Sequence, residues 1–575
     1  MLHSLALSSL LLTAAAVSAA NSAKPPPTGE YYYIIVGGGT AGIALATRLG
    51  QGLKEASILV IEAGPATLDE DEINVPGLKG STLGGRYDWN FTTIPQIHLK
   101  NRTIFTPRGR VLGGTSAPNL LTWDRASAAE YDSWEAIGNP GWNWHTMAAA
   151  MEKAETYVGG PPGSGTSGPI QAVTNRVLPV HQESFIATVA RNFPSIPNDV
   201  DSLQGNPIGV MFQPENIAPA AGYNRSYSAN ARLPPARRTQ PGLPVTLSDT
   251  TVLTARREII LSAGAFQTPT LLEQSGIGSS SILHATGITP QLIDLPGVGE
   301  NHQDHLRVQV VLNTKATFAA EEWAKRVRGE PSFYDDTGAG YVFADWKRVV
   351  SGGDDEKRLV ELAKGVVRDG KGDVGLKKKL DMLGDETVPQ AEVIFSDGCT
   401  GVKGYPPRGS PLYGKGFFAL IGALMHPLSR GSVHVDPADP YGKPPVIDPR
   451  FLDNEYDMAG LVEILKFCRL IARAEPLRSV WVDEYEPGEE LVQTDEQWTE
   501  YVRNTTLTIF HPMGTAAMLP RKDGGVVDSK LVVYGTTNLR VVDASVIPVQ
   551  ISAHPQTGVY GIAERAAEII IAAHH

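Results

Sequence analysis

Tyr31-Tyr32-Tyr33-Ile34-Ile35-Val36-Gly37-Gly38-Gly39-Thr40-Ala41-Gly42 is the stretch on which the reading of this chain turns. The aromatic and β-branched run 31–36 has the length and composition of a strand. Residues 43–49 carry apolar side chains at helical spacing. A glycine turn between a strand and a helix is the setting in which a dinucleotide fingerprint has meaning. Gly37 permits the tight turn, Gly39 lets backbone approach a pyrophosphate, and Gly42 lets helix and strand pack closely. Thr40 and Ala41 then open a helix whose free N–H groups attract phosphate. A second strand, 57–61, ends at Glu62 and Ala63, about twenty residues past Gly42, where an acid binds a ribose hydroxyl.

Two more glycine-bearing segments follow. Residues 107–116 contain Gly109, Gly113 and Gly114, paired glycines that again let backbone come close to a flat or charged ligand. Residues 257–264 read as a strand running into a turn; 265–269 start a helix that 275–278 close. Near the far end stand two histidines, His511 before Pro-Met-Gly-Thr and His554 before Pro-Gln. The chain has 13 histidines, so context singles these two out: His511 follows an apolar stretch and precedes a turn, and His554 opens a helix predicted over 557–571. Imidazole titrates near neutrality and suits taking up and returning a proton. A metal site is the competing reading for two histidines, but no carboxylate or cysteine accompanies them at ligand spacing.

The 575 residues allow two to four domains. A formal charge of −12 argues against nucleic acid or an anionic membrane as partner. Residues 5–17 form an apolar run ending in Val17-Ser18-Ala19-Ala20, a small-residue cleavage signature, and 21–27 break any helix. The run is too short to span a bilayer and no later segment is long and apolar enough. The expectation is a signal peptide over 1–20 and a secreted, extracellular protein. Sequons at Asn90, Asn101, Asn224 and Asn504 agree with it. Cys399 and Cys468, the two cysteines, make one bridge or none and exclude an iron–sulfur cluster or a cysteine zinc site.

At these residues the chain resembles the glucose–methanol–choline (GMC) family of FAD-dependent oxidoreductases, and resembles its secreted fungal aryl-alcohol-oxidase-like members. Residues 109–119 look like the family's first signature, 264–278 match the second, and 525–528 with 539–545 look like its C-terminal block. The resemblance covers nearly everything after the leader. It implies an α/β fold (α+β overall): a Rossmann-like FAD-binding domain over 30–306, a sheet-plus-helices substrate domain mainly over 307–505, and a return to the FAD domain over 506–575. FAD would extend with its pyrophosphate over Gly37 to Gly42 and its ribose on Glu62. Val111 and Asn119 would run beside the flavin and ribityl chain, and Val252 would meet the adenine through its backbone. Asp543, Ala544, Pro555 and Gln556 would complete the flavin pocket. His511 would be the base, with His554 orienting the substrate hydroxyl.

Two departures from the family pattern stand out. Some members carry, just before the asparagine of the first signature, a histidine that bonds covalently to flavin; here it is Pro118, which implies noncovalent FAD. Relatives also have a strand hairpin after the adenine-contacting valine, whereas Val252 is followed almost at once by Arg256-Arg257-Glu258. About two strands' worth of chain is absent, which bears on how fully FAD is held. Phe395, Phe417, Phe418 and Trp481 are candidate liners of the substrate wall. The expected activity is oxidation of a primary or secondary alcohol (aryl, short or sugar), hydride passing to flavin and then to dioxygen or another acceptor. A non-redox cyclase that holds FAD structurally, or a defective flavin-binding homologue, are the alternatives.

Overall fold

A computed structural model describes residues 30–161, 163–174, 180–198, 202–230, 243–246, 252–314, 339–350, 352–370 and 372–574; the expected leader, 1–20, lies outside them. Two sheets organise the chain. The first is parallel, in the order Ile58–Ile61, Glu30–Val36, Val252–Leu261, Leu539–Val541. Its central strand has Tyr33, Ile34 and Ile35 fully buried, the continuous apolar run of a strand covered on both faces. Ile34 sits level with Leu59 on one side and Ile259 on the other. That register brings the ends of the strands, at Val36, Ile61 and Leu261, to one edge, where the glycine turn lies.

The C-terminal helix Gln556–His574 packs on both Thr40–Gly52 and Trp144–Ala154. The last segment of the chain therefore closes the unit that the first segment opens. Both Gly561 and Gly52 are tight contact points: a Cβ on Gly561 would lie 2.7 Å from Met151, and one on Gly52 would lie 2.4 Å from Ile571.

The hairpin missing from the sequence is missing from the fold. Val252 runs without a break through Arg256, Arg257 and Glu258 as one ten-residue strand. The short strand Leu243–Thr246 pairs antiparallel with its first half.

The second sheet has seven antiparallel strands. Its order is Trp481–Glu486, Leu306–Thr314, Gly416–Leu424, Ala391–Asp397, Gly340–Ala344, Gly209–Phe212, with Leu507–Thr508 beside Leu306–Thr314. Gly209–Phe212 thus comes from the stretch that the sequence placed in the FAD-binding part. Alternation along Leu306–Thr314 sends Leu306, Val308, Val310 and Leu312 into the core beneath helix Glu455–Arg473. Gly422 is obligatory there, since its Cβ would lie 2.2 Å from Ile464. Arg307 and Gln309 fall on the other face, toward the first sheet's unit. Cys399 and Cys468 are both free thiols, Cys468 fully buried. Among the described residues no helix is long and apolar enough to cross a membrane.

Candidate functional site

A cavity of about 680 Å³ lies between the two sheets. Gly37, Gly39, Thr40, Ala41, Glu62, Ala63, Asn119, Asp543, Ala544, Pro555, Gln556, His511 and His554 all line it. Thirteen residues from both ends of the chain thus share one space. Three others lie elsewhere. Gly42 is a packing residue: a Cβ there would sit 2.0 Å from the Gly37 carbonyl oxygen. Val111 is fully buried in a cluster with Ile73, Tyr87 and Tyr227. Val252 is 55% exposed at the start of its strand; nine residues upstream of Leu261, it lies about 30 Å from the cradle edge.

The cradle is made of backbone. Gly37 adopts φ 110° and its Cβ would lie 2.3 Å from the Ser262 carbonyl oxygen, so only glycine fits. Around Gly39 the nearest heavy atom to an added Cβ is 3.8 Å away, which leaves its cavity side open. The helix Thr40–Gly52 starts there with no side-chain cap and no acid in its first turn, leaving orphan N–H groups and the positive end of its dipole for an anion. Gly114 presses in from the first signature; its Cβ would come within 2.6 Å of Gly39 Cα, and Gly113 N–H donates to the Gly38 carbonyl at 2.8 Å.

Glu62 accepts N–H bonds from Gly38 (2.9 Å) and Gly64 (2.8 Å). Burial pushes it up to about 7, against the pull of those amides. Asp543 accepts from Gly264 N–H and the Thr268 hydroxyl and so ties the second signature to the C-terminal block. Asn119 donates to Gln556 at 2.7 Å, joining the first signature to the C-terminal helix. These contacts fit FAD: an open glycine, an uncapped helix start and a ring of ligand-facing backbone share one cavity.

The proton chemistry sits at the other end. The rings of His511 and His554 are 4.8 Å apart at 77°. His511 follows Phe510, which takes φ 70°, a costly turn for a non-glycine residue. The Phe510 carbonyl accepts from the Arg108 guanidinium. Asp304 accepts from the His511 N–H at 2.8 Å and the Thr508 hydroxyl at 2.6 Å. His511 Nδ1 lies 2.8 Å from His305 Nδ1, so one of the two carries the hydrogen. Burial holds His511 well below the usual histidine range, helped by the charges of His554, His305 and Arg108.

His554 behaves oppositely. Burial alone would lower it, but the charges of Asp124 and Glu392 and the Asp124 hydrogen bond outweigh that and hold it up at about 9. Asp124 accepts from both the backbone N–H (2.9 Å) and Nδ1 (3.0 Å) of His554. Glu392 Oε1 lies 3.7 Å from the same Nδ1. Both Glu392 oxygens are buried without a hydrogen-bond partner, and burial pushes the group up to about 8.

Asp124, Glu392, His305, Asp304 and Arg108 were not singled out in the sequence. The fold corrects the view that no carboxylate accompanies the histidines: Asp124, Glu392 and His554 bring one ligand atom each within 4.8 Å of one another. The available signal was Glu392 itself, an acid inside the apolar strand Ala391–Asp397. Of the four aromatic candidates for the wall, Phe395 is a lining residue. Phe418 and Trp481 belong to the core beneath the second sheet, and Phe417 packs with Tyr405 and Tyr485.

Comparison with known proteins gives this arrangement its lineage. Family models described as GMC oxidoreductase match residues 31–247 and 240–307 at the N-terminal end and 427–563 at the C-terminal end. The GMC oxidoreductase family protein Mala s 12 of Malassezia sympodialis is 33% identical, over 92% of this chain and 91% of its own. Among solved structures, an FAD-dependent oxidoreductase from Chaetomium thermophilum superposes with a TM-score of 0.82 at 27% identity, covering 95% of this chain and 99% of its own. A fungal aryl-alcohol oxidase does so with 0.79 at 28% identity, covering 94% and 99%. A cradle shaped for a dinucleotide, a histidine pair across the same cavity and matches at both ends of the chain agree: this chain belongs to the GMC oxidoreductase family and is a flavoprotein whose cofactor is FAD.

Proposed function

We propose that this protein is a secreted enzyme that oxidises a primary or secondary alcohol, with His511 as the base and His554 as the group that binds the hydroxyl. The observation that carries the reading is the contrast between two touching imidazoles. His511 is kept neutral at neutral pH, and His554 is kept protonated by Asp124. A neutral imidazole accepts the hydroxyl proton; a charged one donates a hydrogen bond to the same oxygen as negative charge develops on it. With the shared hydrogen on His511 Nδ1, toward His305, His511 Nε2 is left as the accepting lone pair. Bound FAD supplies the acceptor for the carbinol hydride.

The cradle residues Gly37, Gly39, Thr40 and Ala41 would hold the diphosphate, and Asp543, Ala544, Pro555 and Gln556 the flavin end. Pro118, a lining residue with no nucleophilic atom, supports noncovalent attachment. The same reading divides the chain into an FAD-binding part over 30–306 and 506–575 and a substrate part over 307–505. Trp89, Phe91, Tyr341 and Phe510 on the lining favour an aromatic alcohol, in line with the aryl-alcohol oxidase likeness. Exposed sequon residues Asn90, Asn101 and Asn504 support secretion.

The test is anaerobic mixing of the flavin-loaded protein with benzyl alcohol. Bleaching of the flavin absorbance is the expected result. Turnover without bleaching would transfer the case to a non-redox reaction. Peroxide release against dye reduction then separates dioxygen from another acceptor.

A further inference from the structure

The second sheet turns a row of side chains toward the cavity. Across neighbouring strands, Glu392 sits level with Ala423, and Ala423 with Arg307; Arg307 is also level with Leu507, four residues before His511. With strands about 4.8 Å apart, the Arg307 and Glu392 Cα atoms are about 10 Å apart. Glu392 reaches the His554 ring. Arg307, a residue of the cavity lining, therefore flanks the proton site at a distance that leaves room for a small ring between them.

Its chemistry there is distinctive. The guanidinium has five N–H donors, and one hydrogen bond occupies it, from Nη1 to Gln309 Oε1 at 2.9 Å. Among the described residues no acid lies within ion-pair distance of it. Its nearest acidic influence, Glu486, is committed elsewhere: it accepts from the Val402 and Lys403 amides and from the Tyr501 hydroxyl. The other cations of the lining are engaged. Arg108 donates to the Pro107 and Phe510 carbonyls, Lys79 is paired with Glu215 at 2.7 Å, and His554 is held by Asp124. The lining shared with Arg307 includes the apolar Ala339, Ile394, Ile421 and Ile509, and Asp397, an acid of the same lining, is taken up by His181 and Gln182. Arg307 is only half-buried, so its spare donors open onto the cavity, and a ligand that fills the cavity must satisfy them in place of water.

We propose that Arg307 is the specificity residue of the pocket and binds a carboxylate, so that the substrate is an alcohol bearing an acid group one ring's length from the carbinol. The fork of one guanidinium matches the two oxygens of a carboxylate. A phosphate would call for a second free cation, and the lining has none among the described residues. The inference rests on the alcohol-oxidising reading above.

The test compares 4-(hydroxymethyl)benzoate with 4-methylbenzyl alcohol on the flavin-loaded protein, and measures benzoate binding by calorimetry. The wild type should favour the acid in kcat/KM by on the order of 10- to 100-fold, chiefly through KM, as one charged hydrogen-bond pair implies. Arg307→Gln should bring the ratio near one and abolish benzoate binding, and Arg307→Lys should keep part of both. A wild type that oxidises the neutral alcohol as well as the acid and ignores benzoate overturns the inference and leaves the alcohol reading standing. That comparison needs no variant, so a variant that fails to fold does not spare the inference. Benzoate binding lost in Arg307→Gln, with neither alcohol oxidised, would keep the anion site and sink the alcohol reading.

Discussion

The cradle and the histidine wall face each other across one cavity but are built from different material. The cradle is backbone: the open Gly39, the start of one helix, and Gly37 and Gly42, whose neighbours a single methyl group would collide with. The wall is side chains, drawn from segments around residues 124, 305, 392, 511 and 554 and brought together by strand register. Backbone sites fail by losing shape, and side-chain sites fail by losing charge or a proton. Damage to the first should remove the cofactor; damage to the second should spare the cofactor and remove the rate.

Gly42→Val gives the largest expected effect. Its Cβ would meet the Gly37 carbonyl oxygen at 2.0 Å, and neither the turn nor the helix start can yield without moving the other. The purified protein should show no flavin absorbance and a sharply lower yield. His511→Ala should do the reverse: flavin spectrum intact, kcat down by about 10²- to 10⁴-fold, the range for loss of a general base. A His511→Ala protein with nearly wild-type kcat would remove the proposed mechanism. One that loses its flavin would erase the division between the two regions.

The next test works on charge alone. His554 is protonated below about 9 because Asp124 and Glu392 outweigh the effect of burial. Activity should be high below that value and fall as pH rises through it. Asp124→Asn removes the main support, so the falling limb should move toward the ordinary histidine value near 6.5, measured as kcat/KM against pH. Stability follows the same sign. A histidine whose native value lies above its unfolded value stabilises fully below about 6.5 and loses that contribution as pH rises to 9. The Asn variant should lack this loss in thermal midpoint. A limb unmoved by the substitution would mean that His554 does not set it.

How far each region was legible in the sequence follows from the same contrast. The cradle could be read because its parts are contiguous: strand, three glycines, helix and acid occupy residues 31–62, and each glycine has a local steric reason. The parallel pairing of strand 31–36 with 57–61 follows from chain order and the right-handed βαβ rule. His511 and His554 were legible as turn and helix-start residues, but their partners were not. Asp124 pairs with a residue 430 positions away, and Glu392 reaches the site through a seven-stranded sheet whose order no local pattern encodes. The absent hairpin was visible as a gap after Val252. Its consequence, one unbroken strand that leaves Val252 half exposed, required the fold.

Glu392→Gln is the mildest way to probe the wall, and its size is informative. Burial holds Glu392 up to about 8, so at pH 7 it is mostly the neutral acid, which glutamine mimics in shape and charge. At pH 7 the variant should keep its flavin and lie within about twofold of wild type in kcat, since neither carboxyl oxygen makes a hydrogen bond to lose. Above pH 8 the wild type gains a negative charge beside His554 that glutamine cannot supply, so the variant's activity should fall off at slightly lower pH. Stability separates the two proteins further. A carboxyl whose native value exceeds its unfolded value loses stability as pH rises from about 4.5 toward 8, because the unfolded chain sheds its proton first. The wild-type thermal midpoint should decline relative to Glu392→Gln across that window. If the two track each other, Glu392 is ionised in the native wall, and His554 is then balanced by two anions and not by Asp124 alone.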